Sequence, residues 1–248
     1  MPHAPTPHAP TPPDAPAPGD PSPPGEARGP SGHTAVTGDA GPAGARRRRA
    51  RPQERRQAIL DAALAVFAEQ GFAGARMEDV ARRAGVAKGT LYLHFTDKAG
   101  LFEGLVRAAA DPVLGAMEHQ LDAFSGSTRE LLLLLFGHAY RELVASPRRH
   151  IVRLLIGEGE RFPGLADFYY REVVARGLAL LRAVNARGLA RGDIRSDAAL
   201  RFPQLVIAPV LVGVVWTDLF ARSAPLDVEA MLAAHVDLLL RGLGEDET

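Results

Sequence analysis

Hydrogen-bonding and cationic side chains are concentrated in a short stretch that begins at Lys88 and ends at Lys98, the two lysines of the chain. All other residues of the chain that are Lys or Arg are arginines. Within the stretch, Thr90 and Tyr92 carry hydroxyl groups and His94 carries an imidazole, which donate and accept hydrogen bonds. Such groups can contact phosphate oxygens and the polar edges of nucleic-acid bases.

Two short helices and a tight turn are predicted to position these side chains. Apolar residues at helical spacing indicate a helix over 77–84 and a second over 88–94, and Gly85 breaks the chain between them. Leu91 and Phe95 are four residues apart, so both can anchor the second helix to a core while its polar side chains face outward. The arrangement is typical of a helix-turn-helix, whose second helix enters the major groove of DNA.

Two further features of this stretch favour a nucleic-acid partner. Gly89 lowers helix propensity but allows the main chain to approach DNA closely. Lys98 lies in the first turn of the next helix, which Asp97 is expected to cap, and a cation there opposes the helix dipole. A nearby phosphate would explain that lysine. Structural alternatives remain open: Tyr92 could pack in the core, His94 could cap a helix, and Lys88 could simply be solvated.

Positive charge is confined to one segment of a chain whose formal net charge is zero. Residues 46–107 hold 13 Lys and Arg against 7 Asp and Glu, whereas 1–45 hold 1 against 4 and 108–248 hold 15 against 18. The segment opens with RRRRARPQERR at 46–56, which we interpret as a basic arm that binds nucleic acid. A solvated charge run is the alternative.

The remaining organisation indicates a disordered tail followed by an all-α protein. Residues 1–45 contain 13 of the 20 prolines, repeat PHAPT twice and have few large apolar residues, so we expect disorder, with a proline-rich ligand for a partner domain as the alternative. From about residue 53 the apolar pattern is helical and no alternating strand pattern occurs. Beyond residue 110, helical stretches are predicted near 112–124, 127–145, 147–158, 163–190, 196–221 and 226–243. No apolar run is long enough to suggest a membrane span, and the chain has no cysteine.

Residues 58–106 closely resemble the DNA-binding domain of the TetR/AcrR family of transcriptional regulators. The resemblance is carried by Phe67, Gly71-Phe72, Ala84-Gly85-Val86, Gly89-Thr90-Leu91-Tyr92, His94-Phe95 and Lys98. It implies an all-helical homodimer in which residues 57–103 form the three-helix DNA-binding domain and 104–248 form the effector-binding and dimerisation domain. Two positions depart from the family pattern: Arg76 stands where a Thr commonly precedes the first helix of the pair, and Ala87 stands where a Ser or Thr commonly precedes the lysine of the second.

Several sets of site residues follow from the arm, the helix pair and the resemblance. The DNA-binding set is Arg47, Arg48, Arg49, Arg51, Arg76, Met77, Lys88, Gly89, Thr90, Tyr92, His94 and Lys98. The resemblance implies an effector pocket among the middle helices, for which aromatic and isolated polar residues are candidates: Phe136, Tyr140, Glu158, Phe168, Tyr169 and Trp216, with His138 as a further polar group. It also implies dimer contacts on the last two long helices, for which the candidates are Leu205, Val206, Val210, Val214, Leu232, Val236 and Leu239.

The expected function is therefore a ligand-responsive, cytoplasmic transcriptional regulator, by default a repressor that leaves a palindromic operator when a small molecule binds. No cofactor and no metal site is expected. Two other classes stay open at this point. An enzyme would need a nucleophile with its base, a phosphate loop or a metal cluster, and the sequence contains no GxGxxG, P-loop or HExxH motif. A helical adaptor would bind protein partners through the proline-rich tail.

Overall fold

The computed structural model describes residues 52–244, which include only the end of the basic arm. The predicted disordered tail and the arm residues Arg47, Arg48, Arg49 and Arg51 lie outside the described residues. The described part contains α-helices and no strands, which confirms the all-α prediction. The helices are α1 Pro52–Gly74, α2 Met77–Ala84, α3 Lys88–His94, α4 Lys98–Ala123, α5 Thr128–Ala139, α6 Arg149–Glu158, α7 Pro163–Tyr169, α8 Ala175–Arg191, α9 Ala198–Arg201, α10 Gln204–Leu219 and α11 Val228–Gly244. The π-helical turns Tyr140–Val144 and Tyr170–Val174 extend α5 and α7.

A first hydrophobic core is built around α1, α2, α3 and the start of α4. Leu60, Val80, Leu91 and Phe102 are fully or almost fully buried in it. The core does not end with these helices, because apolar residues of α6 and α7 belong to the same cluster: Ile151, Leu154, Leu165 and Phe168. The N-terminal helical unit is therefore packed directly against the middle of the chain.

A second hydrophobic core lies among α5, α8, α10, α11 and the later part of α4. Its most buried members include Leu131, Val184, Val206 and Val236. Helix α4 contributes to both cores, with Phe102 in the first and Val113 in the second. It passes without interruption through the expected domain boundary at 103–104 and through Pro112. One continuous helix thus connects the N-terminal unit to the C-terminal helices.

Two helix boundaries differ from the sequence-based expectation at prolines. The stretch expected from 112 to 124 is the second half of α4, because Pro112 is accommodated inside the helix. The stretch expected as one helix over 196–221 is broken into α9 and α10. Phe202 adopts φ −126° and ψ 68° ahead of Pro203, consistent with the bias of pre-proline residues away from the α region.

Glycines terminate or break helices at two places that matter for the site. Gly85 follows α2 with φ 66°, a left-handed conformation that glycine adopts without a Cβ penalty, so the predicted break between α2 and α3 is confirmed. Gly71 interrupts α1 with φ 69° and ψ 174°, and a further short helical segment runs to Gly74. Within 52–244, no helix is both long enough and apolar enough to cross a membrane.

Candidate nucleic-acid interface and interior cavity

Helix α3 is anchored by the two residues that its apolar spacing predicted. Leu91 is fully buried and Phe95, which follows the helix, is 6% exposed, and both belong to the first core. The turn before α3 is closed by main-chain hydrogen bonds from Gly85 and Val86 to the last turn of α2. The opposite side of α3 therefore faces solvent in a defined orientation.

The exposed side of α3 carries most of the predicted contact residues. Lys88, Gly89 and Tyr92 are exposed, whereas Thr90 and His94 are half-buried. Neither Arg76 before α2 nor Ala87 before α3 makes a side-chain capping hydrogen bond, as their residue types imply. The Met77 side chain is buried in the first core, so this residue can reach a partner only through its main chain.

Lys88 is held at the start of α3 by an exposed ion pair. Its Nζ lies 2.6 Å from Glu78 Oε1 on α2 and 5.9 Å from the centroid of the Tyr92 ring. The hydrogen bond that Lys88 donates to Glu78 raises the pKa of Lys88 and lowers the pKa of Glu78. Because solvent-exposed ion pairs contribute little to stability, Glu78 is a partner that a phosphate can readily replace.

Leu93 is the residue on this surface that the sequence analysis missed. Its side chain is 87% exposed, the largest value among the exposed large hydrophobic residues of the described part. The spacing of Leu91 and Phe95 contained the necessary signal, because the residue between two buried positions of a helix points outward. An apolar side chain therefore stands beside Tyr92, which is 40% exposed, on an otherwise polar surface.

Lys98 contacts main-chain carbonyl groups, whereas the sequence predicted a nearby anion. Its ammonium donates hydrogen bonds of 3.0 Å to the carbonyl oxygens of Ala73 and Ala75, and it lies 4.7 Å from the Phe72 ring centroid. Burial lowers the pKa of Lys98, and the negative charge of Glu158 opposes that shift. The cation thus binds the partially negative end of α1, which explains its place in the α4 first turn without DNA.

Glu158 lies at this same junction and not in the expected pocket. Its Oε1 accepts a 2.7 Å hydrogen bond from Phe72 N–H, and its Oε2 accepts a 2.9 Å bond from Ala73 N–H. These two amides follow the break at Gly71, where a Cβ would overlap the carboxylate. The last residue of α6 therefore satisfies the main chain of α1 across the first core. We call Gly71, Phe72, Ala73, Lys98 and Glu158 the α1–α6 junction.

An apolar cavity of about 230 Å³ lies among the middle helices, where the resemblance placed a pocket. It is lined from α4, α5, α6, α8 and α10, from the last residue of α7 and from both π-helical turns. Of the candidate lining residues, Phe136 and Tyr169 line it. Tyr140, His138, Glu158, Phe168 and Trp216 do not: Phe168 fills the first core, and Trp216 donates a 2.7 Å hydrogen bond to the Ala224 carbonyl. Aliphatic side chains form most of the wall.

Among residues 52–244, three side chains with polar groups line this cavity: Glu142, Arg148 and Tyr169. Arg148 Nη1 and Glu142 Oε2 form an ion pair, and each side chain is about one-third exposed. Burial raises the pKa of Tyr169 to about 12, so its hydroxyl stays protonated at neutral pH. Glu142 and Arg148 were not predicted from the sequence, because no motif surrounds either residue.

The predicted dimer contacts require a correction. Val206, Val210, Val214, Leu232 and Val236 are buried in the second core of their own protomer, and Leu239 packs partly against it. Their side chains are therefore not available to a partner. Leu205 is exposed, and it begins an exposed stripe on α10 that continues with Ala208, Val212 and Leu219. Leu238 adds an exposed apolar residue on α11.

The chain combines a helix-turn-helix, whose exposed face is basic and polar, with helices that enclose an apolar cavity. This combination is typical of helix-turn-helix regulatory proteins. Residues 59–105 match the family described as bacterial regulatory proteins, tetR family. Residues 124–239 match the tetracyclin repressor-like C-terminal domain. The chain therefore belongs to the TetR family of bacterial transcriptional regulators.

Similarity to individual proteins supports this assignment. The chain is 32% identical over 121 residues to the HTH-type transcriptional regulator AcrR of Shigella flexneri, covering 48% of this chain and 56% of that protein. It is 27% identical over 202 residues to the transcriptional repressor KstR2 of Mycolicibacterium smegmatis, covering 79% and 94%. The fold matches the fatty acid degradation regulator FadR of Bacillus halodurans with a TM-score of 0.67 at 24% identity, over 80% of this chain and 100% of that one.

Proposed function

We propose that this protein is a ligand-responsive transcriptional repressor that binds a palindromic operator as a homodimer and is released by a small-molecule effector. The observation that carries the proposal is the exposed face of α3, held on a buried anchor and joined to an apolar cavity through α4. The relatives that match are regulators, so we also propose that the chain has no catalytic role. A DNA-binding role would place it in the cytoplasm.

The DNA contacts are proposed to come from α3, from the start of α2 and from the basic arm. In the major groove, Lys88, Thr90, Tyr92 and His94 would bind phosphates or base edges, and the main chain at Gly89 would come close to DNA. Leu93 is added to this set, because an exposed leucine can contact the methyl group of thymine. Arg76 and the arm arginines are proposed to neutralise phosphates.

The homodimer is proposed to form through the exposed stripe Leu205, Ala208, Val212 and Leu219 of α10, together with Leu238 of α11. Successive members of the α10 stripe are three, four and seven residues apart, so they lie along one side of the helix. Pairing this side with its symmetry mate would give a four-helix bundle. A twofold dimer presents two α3 helices, which matches a palindromic operator.

The apolar cavity is proposed as the effector site. The FadR structure from Bacillus subtilis, which shares the fold at 22% identity and a TM-score of 0.65, is a complex with stearoyl-CoA. A predominantly aliphatic wall in the present chain also favours a hydrophobic effector. Helix α4 lines the cavity and enters the first core, so movement of α4 on ligand binding would alter the position of α3.

Selection from a pool of random DNA duplexes tests this proposal without requiring the operator sequence to be known. The full chain is incubated with a pool of randomised duplexes, and bound sequences are enriched over several rounds. We expect a palindromic sequence whose binding weakens steeply with added salt. Recovery of sequences with no common motif, at an affinity equal to that of the starting pool, would contradict the proposed function.

A further inference from the structure

The polar groups of the cavity are unequal in what they can offer a ligand. Arg148 carries five N–H donors, and among residues 52–244 the only hydrogen bond from its guanidinium goes to Glu142. The remaining donors are available to a hydrogen-bond acceptor. Glu142, by contrast, already faces the positive charge of Arg148, so its own charge is compensated.

Tyr169 adds a second donor to the same cavity. Its hydroxyl makes no hydrogen bond within the described residues, although the side chain lines the cavity beside aliphatic neighbours. Burial raises the pKa of Tyr169 to about 12, so near neutral pH the group is a neutral O–H and carries no negative charge. The cavity therefore offers unused donors, while the one carboxylate among its described lining residues, that of Glu142, is paired with Arg148.

From this arrangement we infer that the effector is an apolar molecule with one anionic hydrogen-bond acceptor group, which Arg148 binds at the partly exposed edge of the cavity. The inference rests on the proposed effector role of the cavity and names the chemistry of the ligand. The apolar part would pack against the aliphatic wall, where removal of its CH₂ groups from water stabilises the complex. The acceptor group would take the free guanidinium donors, and the Tyr169 hydroxyl supplies a further donor to the same molecule.

A cationic amphiphile is the opposite possibility, and the local charges disfavour it. A cation could reach only the carboxylate of Glu142, and it would meet the guanidinium of Arg148 beside that carboxylate. An anion can pair with Arg148 from the other side but experiences repulsion from Glu142. This repulsion gives the proposal a distinctive consequence: neutralising Glu142 should strengthen anion binding.

Calorimetric titration of the full chain, without DNA, tests the inference with decanoate, decanol and decylammonium as probes. We expect decanoate to bind the wild-type protein at least tenfold more tightly than either other probe. Arg148→Met should weaken decanoate binding by roughly tenfold or more, since a hydrogen bond to a charged group is lost. Binding of decanol should change little, which shows that the cavity remains intact.

Glu142→Gln should tighten decanoate binding severalfold, an effect that a merely structural role of the ion pair would not produce. Arg141→Met is the matched control for Arg148→Met. Arg141 lies in the same π-helical turn as Glu142, but it is exposed and does not line the cavity. Equal binding of the three probes, preference for decylammonium, or no binding of any probe would overturn the inference. Each of these results leaves the separate DNA-selection test of the proposed function unaffected.

Discussion

The carboxylate of Glu158, at the end of α6, lies 2.7 Å from the main-chain nitrogen of Phe72 and accepts its hydrogen bond. The next amide, that of Ala73, donates to the other carboxylate oxygen, and the carbonyl of Ala73 accepts a hydrogen bond from Lys98. The end of α1 is thus held by one side chain from α6 and another from α4. This junction connects the N-terminal unit to the helices around the cavity.

Replacement of Glu158 by Gln should lower the free energy of unfolding by about 1–3 kcal/mol. The glutamine side chain can accept only one of the two hydrogen bonds with its oxygen, and the charge that strengthens them is removed. Urea denaturation followed by circular dichroism measures the change. Glu160→Gln is the control because Glu160 is exposed two residues away. Equal stability of the two variants would show that the junction contributes nothing.

Replacement of Lys98 by Met should weaken the fold and leave the salt dependence of DNA binding nearly unchanged. The ammonium binds the Ala73 and Ala75 carbonyls, so we expect a loss of about 1–2 kcal/mol in unfolding free energy from the missing charged hydrogen bonds. Lys88→Met is the comparison variant and should reduce the salt slope by about one. A reduced slope for Lys98→Met would instead assign this lysine to a phosphate.

Replacement of Leu93 by Ala should remove discrimination at a thymine in the selected operator. Each thymine is exchanged for uracil, which lacks the methyl group, and the affinity is measured by fluorescence anisotropy. For the wild-type protein we expect a loss of roughly threefold to tenfold at one symmetric pair of positions, where the exposed leucine contacts the methyl. The same exchange should have no effect on Leu93→Ala. Sensitivity to uracil that persists in this variant would exclude Leu93 as the reader.

Replacement of Val212 by Glu should convert the proposed dimer to a monomer without unfolding the chain. Val212 is 47% exposed in the protomer, so a charge there is tolerated until a partner buries it. Light scattering coupled to size-exclusion chromatography gives the mass, and circular dichroism checks the helical content. Ile156→Glu is the matched control, since Ile156 is an exposed apolar residue on α6. A dimer that survives in Val212→Glu would place the interface elsewhere.

Stability should fall as the pH drops below about 6.5, and His150 should account for part of the loss. Burial, helped by Arg149 and Arg153 and opposed by Asp218, lowers the pKa of His150 below its ordinary value of 6.5. The unfolded chain therefore takes up a proton that the folded chain resists, which favours unfolding as pH decreases through this window. His150→Gln should show a smaller stability difference between pH 7.5 and 5.5 than the wild type, whereas exposed His119→Gln should match the wild type. His235, whose pKa burial also lowers, would retain part of the slope in both variants.

The N-terminal unit could be predicted in detail because its signals are local. The bounds of α2 and α3, the break at Gly85 and the anchors Leu91 and Phe95 all follow from residue type and helical spacing within about twenty residues. The partners of Lys98 were not accessible in this way. The carbonyl groups that accept its hydrogen bonds follow the break in α1. The carboxylate beside them comes from Glu158, far along the chain.

The C-terminal half was harder because its helices are apolar on several sides. In α10, Val206, Val210 and Val214 face the core while Leu205 and Val212 face outward, and apolar residue type does not separate the two groups. Choosing aromatic and isolated polar residues also gave mostly wrong lining residues: of these candidates only Phe136 and Tyr169 line the cavity, whose wall is mostly aliphatic. The ion pair of Arg148 and Glu142 becomes significant only once the surrounding apolar surface is known.

Competition between specific and non-specific DNA tests the central claim most directly. The full chain is titrated into a labelled duplex that carries the selected palindrome, and unlabelled selected or scrambled duplex is added at physiological salt. The proposed function predicts that the scrambled duplex competes at least a thousandfold less effectively, within the range of specific DNA-binding proteins. Equal competition by both duplexes would contradict the claim that α3 reads a DNA sequence.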